Sequence, residues 1–423
     1  MASNDNEHKP TPRSRTTNDD VPRRGIPGWL LAAFLVLAVV SVGGFALWRQ
    51  LATPAPEPVA QQEPQLTQEE LDVQGRVERY LDELTPEQRV AQLFVVRPES
   101  ITGVDTAVAA GDTTRRAITD CPVGGICYFA ANLVSPEQTR EMLRNTQNYA
   151  KDACGLPMFL CVDEEGGTVS RVAANEAFGV DDVGDMADIG ATQDPEKARA
   201  AANEVGSYLA GLGFNVDFAP VADIVASEEG VMYSRSFGGD PQLVANMVTA
   251  QVEGFARANV LCAAKHFPGI GGAEGDSHNG RIYSYRTAEE MSAWELVPFR
   301  AAIAANVPMV MVGHLSCMGL ADGAQGVPAS LSKHVIGDLL RGELGYQGLV
   351  ITDSFEMSAL DGVCTPDEQA VRAIEAGADL VLMPSDFQRA YQGLLGAVRQ
   401  GTISQERIDE SVRRIIRAKI ALL

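Results

Sequence analysis

Charged side chains stand at the ends of several short apolar runs, where buried strands would bring them to one edge of a sheet. The acids are Asp163, Asp223 and Asp353, and the bases are Arg171, Arg235 and Lys265. Charges in such places are costly unless they are paired or hydrogen-bonded. The set suits many contacts to hydroxyl groups and a developing positive charge, which is the chemistry of sugar binding and glycosidic cleavage. The spacing of these residues does not match that of a set of metal ligands, so we expect no bound metal.

Histidines are concentrated in the same places. His266, His278 and His314 are three of only five histidines, and each follows a strand-like run or lies in the loop after one. A buried structural role is commoner for any single histidine, but three histidines at one edge of the predicted sheet favour a functional role. Lys265 alone would suggest a Schiff-base aldolase. That chemistry needs a desolvated lysine and leaves Asp353 and His278 without a role.

Eight apolar runs of strand length alternate with helical patterns after about residue 68. The runs are 90–96, 124–130, 157–163, 214–223, 260–267, 308–314, 348–354 and 378–384. Nearly continuous apolar runs predict strands that are buried on both faces, as in a parallel sheet. No GxGxxG or GxxxxGK[ST] motif follows a strand, so a nucleotide-binding sheet is not indicated. We predict a (β/α)8 TIM barrel whose active site lies at the carboxyl ends of the strands.

Helix starts between these runs carry clear signals. Thr85-Pro86, Ser135-Pro136 and Thr365-Pro366 each place a capping residue before a proline, with Glu or Gln three positions after the cap. Asp194-Pro195 and Asp240-Pro241 resemble them without the complete capping box. These five dipeptides predict five helix starts.

The N-terminal part divides into three segments before the barrel. Residues 1–24 are polar and predict a disordered cytoplasmic tail. Residues 25–48 carry no charge and are long enough for a transmembrane anchor, and the basic residues before them favour a cytoplasmic N-terminus. Residues 49–68 are a Pro/Gln-rich linker, and 69–423 form the single catalytic domain. We expect a single-pass protein of the cell membrane with an extracytoplasmic domain, or a secreted protein if the anchor is cleaved.

Charge and cysteine content limit the partners. The net charge of −22 argues against nucleic acid as a ligand. Seven cysteines cannot all pair, and an extracytoplasmic domain could hold Cys121–Cys127 or Cys154–Cys161 as a local disulfide. The expected partners are a glycan substrate and, through the N-terminal helix, a membrane, while the oligomeric state stays open.

Five motifs occur in the order of one known family. They are KHFPGIGGAEGDSH (265–278), VDEEGG (162–167), SRSFGGDP (234–241), PASLS (328–332) and GLVITDSFEM (348–357). Together they resemble glycoside hydrolase family 3, and most closely its single-domain β-N-acetylhexosaminidases, over about residues 75–423. The resemblance implies a (β/α)8 barrel that removes terminal β-linked N-acetylglucosamine, for example from peptidoglycan fragments or other wall glycans.

The resemblance also implies a role for each site residue. Asp353 would be the nucleophile that gives a covalent glycosyl-enzyme and retention of configuration. His278 would be the acid/base and Asp276 would orient it, because histidine, with a pKa of about 6.5, donates and accepts protons near neutral pH. The implied sugar-binding residues are Asp163, Arg171, Arg235, Lys265, His266 and His314. No cofactor is implied.

Three positions depart from the family pattern. Ile270 replaces the second histidine of KHFPGHG, Thr168 stands where arginine is common, and Ser354-Phe355 replaces Asp-Leu after the nucleophile. They leave the preferred sugar open, so a β-glucosidase of the same family is an alternative, although such members usually carry a second α/β domain that supplies the acid. A non-catalytic glycan-binding barrel is an alternative of another class, against which the complete catalytic set argues.

Overall fold

The computed structural model describes residues 67–228, 232–273, 280–320 and 325–422. The predicted tail, the uncharged run 25–48 and nearly all of the linker lie outside the described residues, and so do Asp276 and His278. Within the described ranges, no helix is both long and apolar enough to cross a lipid bilayer.

Eight parallel strands form the barrel, and two further strands pair beside it. In chain order the strands are β1 (Phe94–Val96), β2 (Gly125–Cys127), β3 (Phe159–Val162), β4 (Val216–Asp217), β5 (Leu261–Phe267), β6 (Tyr283–Thr287), β7 (Met309–Val312), β8 (Ser316–Gly319), β9 (Leu349–Thr352) and β10 (Val381–Leu382). The barrel order is β10-β1-β2-β3-β4-β5-β7-β9. A parallel bridge between Ile351 and Leu380 joins β9 to β10. Each predicted run supplies one barrel strand, which confirms the (β/α)8 prediction.

The structure differs from the strand prediction at one strand start and adds one strand pair. The first run was expected from residue 90, but a helix continues to Ala91 and β1 begins only at Phe94. The parallel pair of β6 with β8 was not anticipated; its register joins Tyr283 to Ser316. The strand β6 is polar and partly exposed, so it lacks the apolar run that marked the barrel strands.

Helices join the strands, and their apolar faces pack against the barrel. They are α1 (Gln68–Glu83), α2 (Pro86–Ala91), α3 (Pro98–Thr102), α4 (Asp112–Asp120), α5 (Pro136–Cys154), α6 (Met186–Ala191), α7 (Pro195–Leu212), α8 (Pro241–Arg257), α9 (Ala288–Ala293), α10 (Leu296–Ala304), α11 (Pro366–Ala376), α12 (Phe387–Gln400) and α13 (Gln405–Ile420), with a π-helix at His334–Glu343. All five predicted starts are confirmed. Thr85 forms a complete capping box with Gln88, which satisfies otherwise unpaired amides of the first turn. At Thr365 the carboxylate of Glu368 accepts the backbone amide of the cap.

The amino-terminal end of the barrel contains a buried lysine. Lys419 of α13 is 1% exposed, and its Nζ donates a 2.7 Å hydrogen bond to Oε1 of Gln92. The ammonium lies 5.0 Å from the ring centroid of Phe159, at the start of β3. Burial lowers the pKa of Lys419 to about 8. Lys419 therefore lies at the opposite end of the barrel from the candidate site, which is at the carboxyl ends of the strands.

The two local disulfides considered from the sequence are not formed. Cys121 and Cys127, and likewise Cys154 and Cys161, remain separate thiols. Cys127 and Cys161 are instead register partners on β2 and β3. Both are fully buried, and burial raises the pKa of both thiols. They behave as small core residues, as expected for buried cysteines.

Candidate active site

A cavity of about 490 Å³ opens at the carboxyl ends of the barrel strands. Six of the residues selected from the sequence line it: Asp163, Arg171, Arg235, Lys265, His266 and Asp353. The apolar part of its wall includes Met232, Met311, Met357 and Met383. The chain thus brings charged groups from β3, β5 and β9, and from the loops after β3 and β4, to one concave site, where barrel enzymes place their chemistry.

The centre of the polar wall is a buried network of two acids and two bases. Lys265 Nζ lies 2.7 Å from Oδ1 of Asp163 and 2.5 Å from Oε1 of Glu165. Arg235 holds Glu165 with two parallel bonds, of 2.7 Å from Nε and 2.8 Å from Nη2. Lys265 is 2% exposed and Glu165 is 4% exposed. Because each buried charge meets an opposite charge, the cost of removing them from water is offset.

The network keeps Glu165 and Lys265 ionised. Burial raises the pKa of Glu165, but the charges of Lys265 and Arg235 outweigh burial and bring it down to about 2. Burial lowers the pKa of Lys265, but Asp163 and Glu165 hold it above its ordinary value. A Schiff-base mechanism needs a neutral amine at neutral pH. The surroundings of Lys265 therefore argue against the aldolase alternative.

His266 is oriented by a buried carboxylate. Oδ2 of Asp223 accepts a 2.7 Å hydrogen bond from Nδ1 of His266, and Asp223 is fully buried. A carboxylate only accepts here, so Nδ1 carries a proton and the Nε2 edge is left for the cavity. Oδ1 of Asp223 accepts a 2.6 Å bond from the backbone amide of Ile270. One carboxylate therefore fixes both the histidine ring and the start of the following loop.

Asp353 follows β9 and lies in the wall of the cavity. Its Oδ1 accepts a 2.7 Å hydrogen bond from the backbone amide of Ser354. Burial alone would raise its pKa, but His266 and this amide together hold the pKa below its ordinary value. An ionised carboxylate is what a nucleophile or a stabiliser of positive charge requires.

His314 lies behind Asp353 and does not line the cavity of the described residues. Its Nε2 donates a 2.8 Å hydrogen bond to the carbonyl oxygen of Ser354, so Nδ1 accepts a 2.8 Å bond from the hydroxyl of Ser330. Burial lowers the pKa of His314, which agrees with a neutral ring. The bond to Ser354 lets His314 support the turn after Asp353. A contact of His314 with the sugar stays a prediction.

Two acids in the loop after β3 were not selected from the sequence. Glu165 belongs to the network above, and Glu164 is fully buried. The carboxylate of Glu164 accepts backbone amides of Arg171, Val172 and Ala173 at 2.5–2.9 Å and the hydroxyl of Tyr208 at 2.9 Å. It therefore folds the loop that presents Arg171. The signal that could have found both is the pair of adjacent acids at an apolar strand end, which requires buried partners.

The predicted acid/base pair lies outside the described residues, but the start of its loop is described. Gly269 has φ of +117°, and a Cβ on Gly271 would come within 2.1 Å of the carbonyl oxygen of Ile224. The first residues of the loop therefore pack closely against the segment after β4. Across the described part of the chain, no cluster of three or more His, Cys, Asp or Glu is arranged to hold a metal ion.

The model of the Glycosyl hydrolase family 3 N terminal domain matches residues 85–418. The chain belongs to glycosyl hydrolase family 3. The resemblance carried by the five motifs is therefore confirmed. The match spans the barrel from the cap of α2 into α13.

Family 3 proteins of known function include clear relatives of this chain. Beta-hexosaminidase A of Pseudoalteromonas piscicida is 33% identical over 323 residues, which are 71% of this chain and 54% of that protein. Beta-hexosaminidase LpqI of Mycobacterium tuberculosis is 33% identical over 351 residues, 79% of this chain and 83% of that protein. The chain thus spans about half the length of the first relative and most of the second.

A solved family 3 structure has the same barrel. The family 3 beta-N-acetylglucosaminidase from Paenibacillus sp. str. FPU-7 is 40% identical, with a TM-score of 0.74. The likeness covers 80% of this chain and 62% of that chain.

Proposed function

We propose that the chain is a retaining exo-glycosidase that releases terminal β-linked N-acetylglucosamine. The observation that carries the proposal is the ionised Asp353 in the same cavity as the buried network of Lys265, Asp163, Glu165 and Arg235. The names of the family 3 relatives, hexosaminidase and N-acetylglucosaminidase, support the amino sugar.

The network is suited to the hydroxyl groups of a terminal sugar. Hydroxyls both donate and accept, so they need donors such as Lys265, Arg235 and Arg171 and an acceptor such as Asp163. Charge-assisted bonds of this kind are strong and depend on geometry, which favours one ring orientation. The methionines of the wall offer an apolar surface to the methyl of an N-acetyl group.

The proposed reaction is a double displacement. Asp353 attacks the anomeric carbon and a glycosyl-Asp353 ester forms, while the bond to the leaving oxygen breaks and His278 gives that oxygen a proton. Water then attacks the anomeric carbon and gives a proton to His278, while the bond between that carbon and Asp353 breaks. This second inversion restores the original configuration. Asp276 keeps His278 in the correct tautomer.

Aryl glycosides test this proposal directly. The full chain should hydrolyse aryl N-acetyl-β-glucosaminide faster than aryl β-glucoside, with the β-anomer of the sugar formed first in NMR spectra. Asp353→Ala and His278→Ala should lower kcat. Asp338→Ala and His334→Ala, whose side chains on the π-helix are 69% and 38% exposed, serve as matched controls. Full activity of Asp353→Ala would refute the mechanism.

Trapping identifies the nucleophile independently. A fluorinated N-acetylglucosamine that forms a slow ester should label the peptide that contains Asp353. A faster reaction with the glucoside would instead favour the β-glucosidase alternative. Binding of chitooligosaccharides without any turnover would favour the non-catalytic barrel.

The location and natural substrate are part of the same proposal. The uncharged run 25–48 and the basic residues before it would anchor the chain in the cell membrane, with the barrel outside. Peptidoglycan fragments or other wall glycans would then be within its reach. Alkaline carbonate should leave the full chain in the membrane pellet, and its release into the supernatant would contradict the anchor.

A further inference from the structure

A buried acid and a half-exposed arginine form an ion pair beside segment 269–281, which contains Asp276 and His278. Nε of Arg286, on β6, lies 3.0 Å from Oε1 of Glu295, the residue before α10. The side chain of Arg286 is 35% exposed, whereas that of Glu295 is 4% exposed. Because β6 follows the segment directly, the arginine belongs to the carboxyl-terminal end of the segment.

The amino-terminal end of the segment packs against the same two side chains. A Cβ on Gly269 would lie 2.8 Å from both Cβ and Cγ of Glu295. A Cβ on Gly272 would lie 3.3 Å from Oε1 of Glu295 and 3.3 Å from Nη2 of Arg286. The two glycines therefore let the chain pass in close contact with the pair, and one ion pair meets both ends of the segment.

Both ends of the segment also reach the cavity wall. Ile270, at its start, and Ile282, directly after it, line the cavity together with Asp353. His278 lies between these two positions in the chain, so a displacement of one end relative to the other would change its approach to a substrate. A misplacement of about 1 Å can cost about 100-fold in rate.

The surroundings of the pair restrict its geometry. Cζ of Arg286 lies 5.6 Å from the ring centroid of Trp294, which holds the guanidinium on one side. Burial raises the pKa of Glu295, and the charge of Arg286 only partly offsets this effect, while Glu290 and Asp223 add to it. Oε2 of Glu295 has no hydrogen-bond partner among the described residues. Arg286 is therefore the cation that offsets the cost of burying this carboxylate.

We propose that Arg286 and Glu295 are positioning residues, which hold the two ends of segment 269–281 together so that His278 reaches the leaving oxygen. The inference rests on the proposed function, in which His278 is the acid/base. Neither side chain of the pair lines the cavity of the described residues. The pair therefore acts on proton transfer, and the attack of Asp353 does not depend on it.

Leaving groups of different acidity test the pair. Dinitrophenolate departs without a proton, whereas phenolate departs slowly unless an acid protonates it. Arg286→Gln and Glu295→Ala should therefore largely retain kcat/KM for 2,4-dinitrophenyl N-acetyl-β-glucosaminide. For the phenyl glycoside, kcat/KM should fall more than about tenfold, which is part of the about 100–10,000-fold that a general acid or base supplies.

Azide gives a second readout, because it needs no base to attack the glycosyl-enzyme and water does. With the dinitrophenyl substrate the variants should release a burst of dinitrophenolate, and kcat and KM should fall together as the glycosyl-enzyme accumulates. Azide attacks the anomeric carbon, the bond to Asp353 breaks and a glycosyl azide forms, so added azide should restore kcat. A general loss of folded protein would produce neither the burst nor the recovery.

Further variants show whether the two residues act as one unit. Arg286→Gln combined with Glu295→Ala should lower kcat/KM for the phenyl glycoside no further than the more affected single variant, because contributions within one unit are not additive. Glu295→Gln keeps an acceptor for Arg286 and should retain more activity than Glu295→Ala. Should Glu295→Ala not fold, Arg286→Gln at its half-exposed position decides the matter.

The matched control removes an arginine from a different ion pair. Arg413, on α13, is 43% exposed and its Nε lies 2.8 Å from Oε1 of Glu78. Arg413→Gln should cleave both glycosides as the unaltered chain does, with no effect of azide.

The outcomes separate the positioning role from the proposed function. Equal losses for both leaving groups in Arg286→Gln, or no loss for either, would overturn the positioning role and leave the glycosidase intact. His278→Ala should show the same selective loss in a stronger form, and its absence there would contradict the proposed acid together with this inference. Cleavage of neither glycoside by the unaltered full chain would contradict the proposed function itself.

Discussion

Nδ1 of His266 donates a 2.7 Å hydrogen bond to the buried Oδ2 of Asp223, which also accepts the backbone amide of His266 at 3.2 Å. This double contact fixes the ring of His266 relative to its own backbone. A ligand group that meets the Nε2 edge therefore finds it already oriented, which lowers the entropic cost of binding. Asp223 is a positioning residue, since it touches the histidine and not the cavity.

Replacing Asp223 should lower activity more than stability. Asp223→Asn removes a charged acceptor, and hydrogen bonds to charged groups are worth about 1.5–3 kcal/mol, so we expect kcat/KM to fall about 10–100-fold. The measurement is steady-state hydrolysis of an aryl N-acetyl-β-glucosaminide, together with thermal melting. Asp240→Asn, at the cap of α8, is the matched control and should keep its activity. Wild-type kcat/KM in Asp223→Asn would contradict the positioning role.

Glu165 should be needed for both binding and stability. Glu165→Gln leaves Lys265 and Arg235 with too little negative charge, and breaking a buried pair costs about 3–5 kcal/mol. We expect a lower free energy of unfolding in urea and a KM raised more than tenfold. Glu196→Gln removes an exposed acid from an ion pair of α7 and should change neither quantity.

The pH dependence of the same variant gives a second test. The pKa of Glu165 is lowered from 4.5 to about 2 in the folded chain. Its contribution to stability is therefore present above pH 4.5 and is lost as the pH falls from about 4.5 to 2. The unaltered chain should lose more stability than Glu165→Gln across this window, and parallel losses would contradict the ionised network.

Activity should depend on pH through two different groups. The pKa of Asp353 lies below 3.8, so this carboxylate is ionised throughout the neutral and mildly acidic range. Loss of kcat/KM as the pH rises should then report deprotonation of His278. An ordinary histidine has a pKa of about 6.5, so we expect the loss near that pH. A substrate with a highly acidic leaving group needs little protonation and should show a weaker alkaline decline. An alkaline limb that is identical for good and poor leaving groups would exclude His278 as the acid.

Lys419 should destabilise the barrel at neutral pH. Its pKa is about 8 in the folded chain against 10.5 in the unfolded chain, so the stability of the unaltered protein should rise as the pH increases from 8 to 10.5. Lys419→Met should raise the free energy of unfolding at pH 7 by about 2 kcal/mol, because it removes a buried charge. The gain should shrink above pH 8. Lys333→Met, at an exposed position, should give no such gain.

The elements of the fold could be predicted because their causes are local. The capping box of Thr85 and the proline after it place a helix start within a few residues, and continuous apolar runs mark buried parallel strands. The pair of β6 and β8 escaped prediction because its stability depends on pairing between distant segments. The polar strand β6 carries no equivalent pattern of its own.

The residues of the candidate site were easier to find than their partners. Asp163 and Lys265 stood out as charges at strand ends, but the bond between them joins positions 102 residues apart. Glu165 meets Arg235 across 70 residues, so nothing near it in the sequence shows that it is paired. His314 stood at a strand end as well, yet only the structure shows its hydrogen bonds to Ser330 and Ser354 and its absence from the cavity lining of the described residues.

The network of Lys265, Arg235, Asp163 and Glu165 contains two cations and two anions, so its formal charges cancel. The uncharged sugar of the proposed reaction would exchange water for strong directional partners in a network whose formal charges sum to zero. The net charge of −22 is therefore carried by residues outside this network. A strongly acidic protein thus presents, at the centre of its polar wall, a network in which positive and negative charges are equal in number.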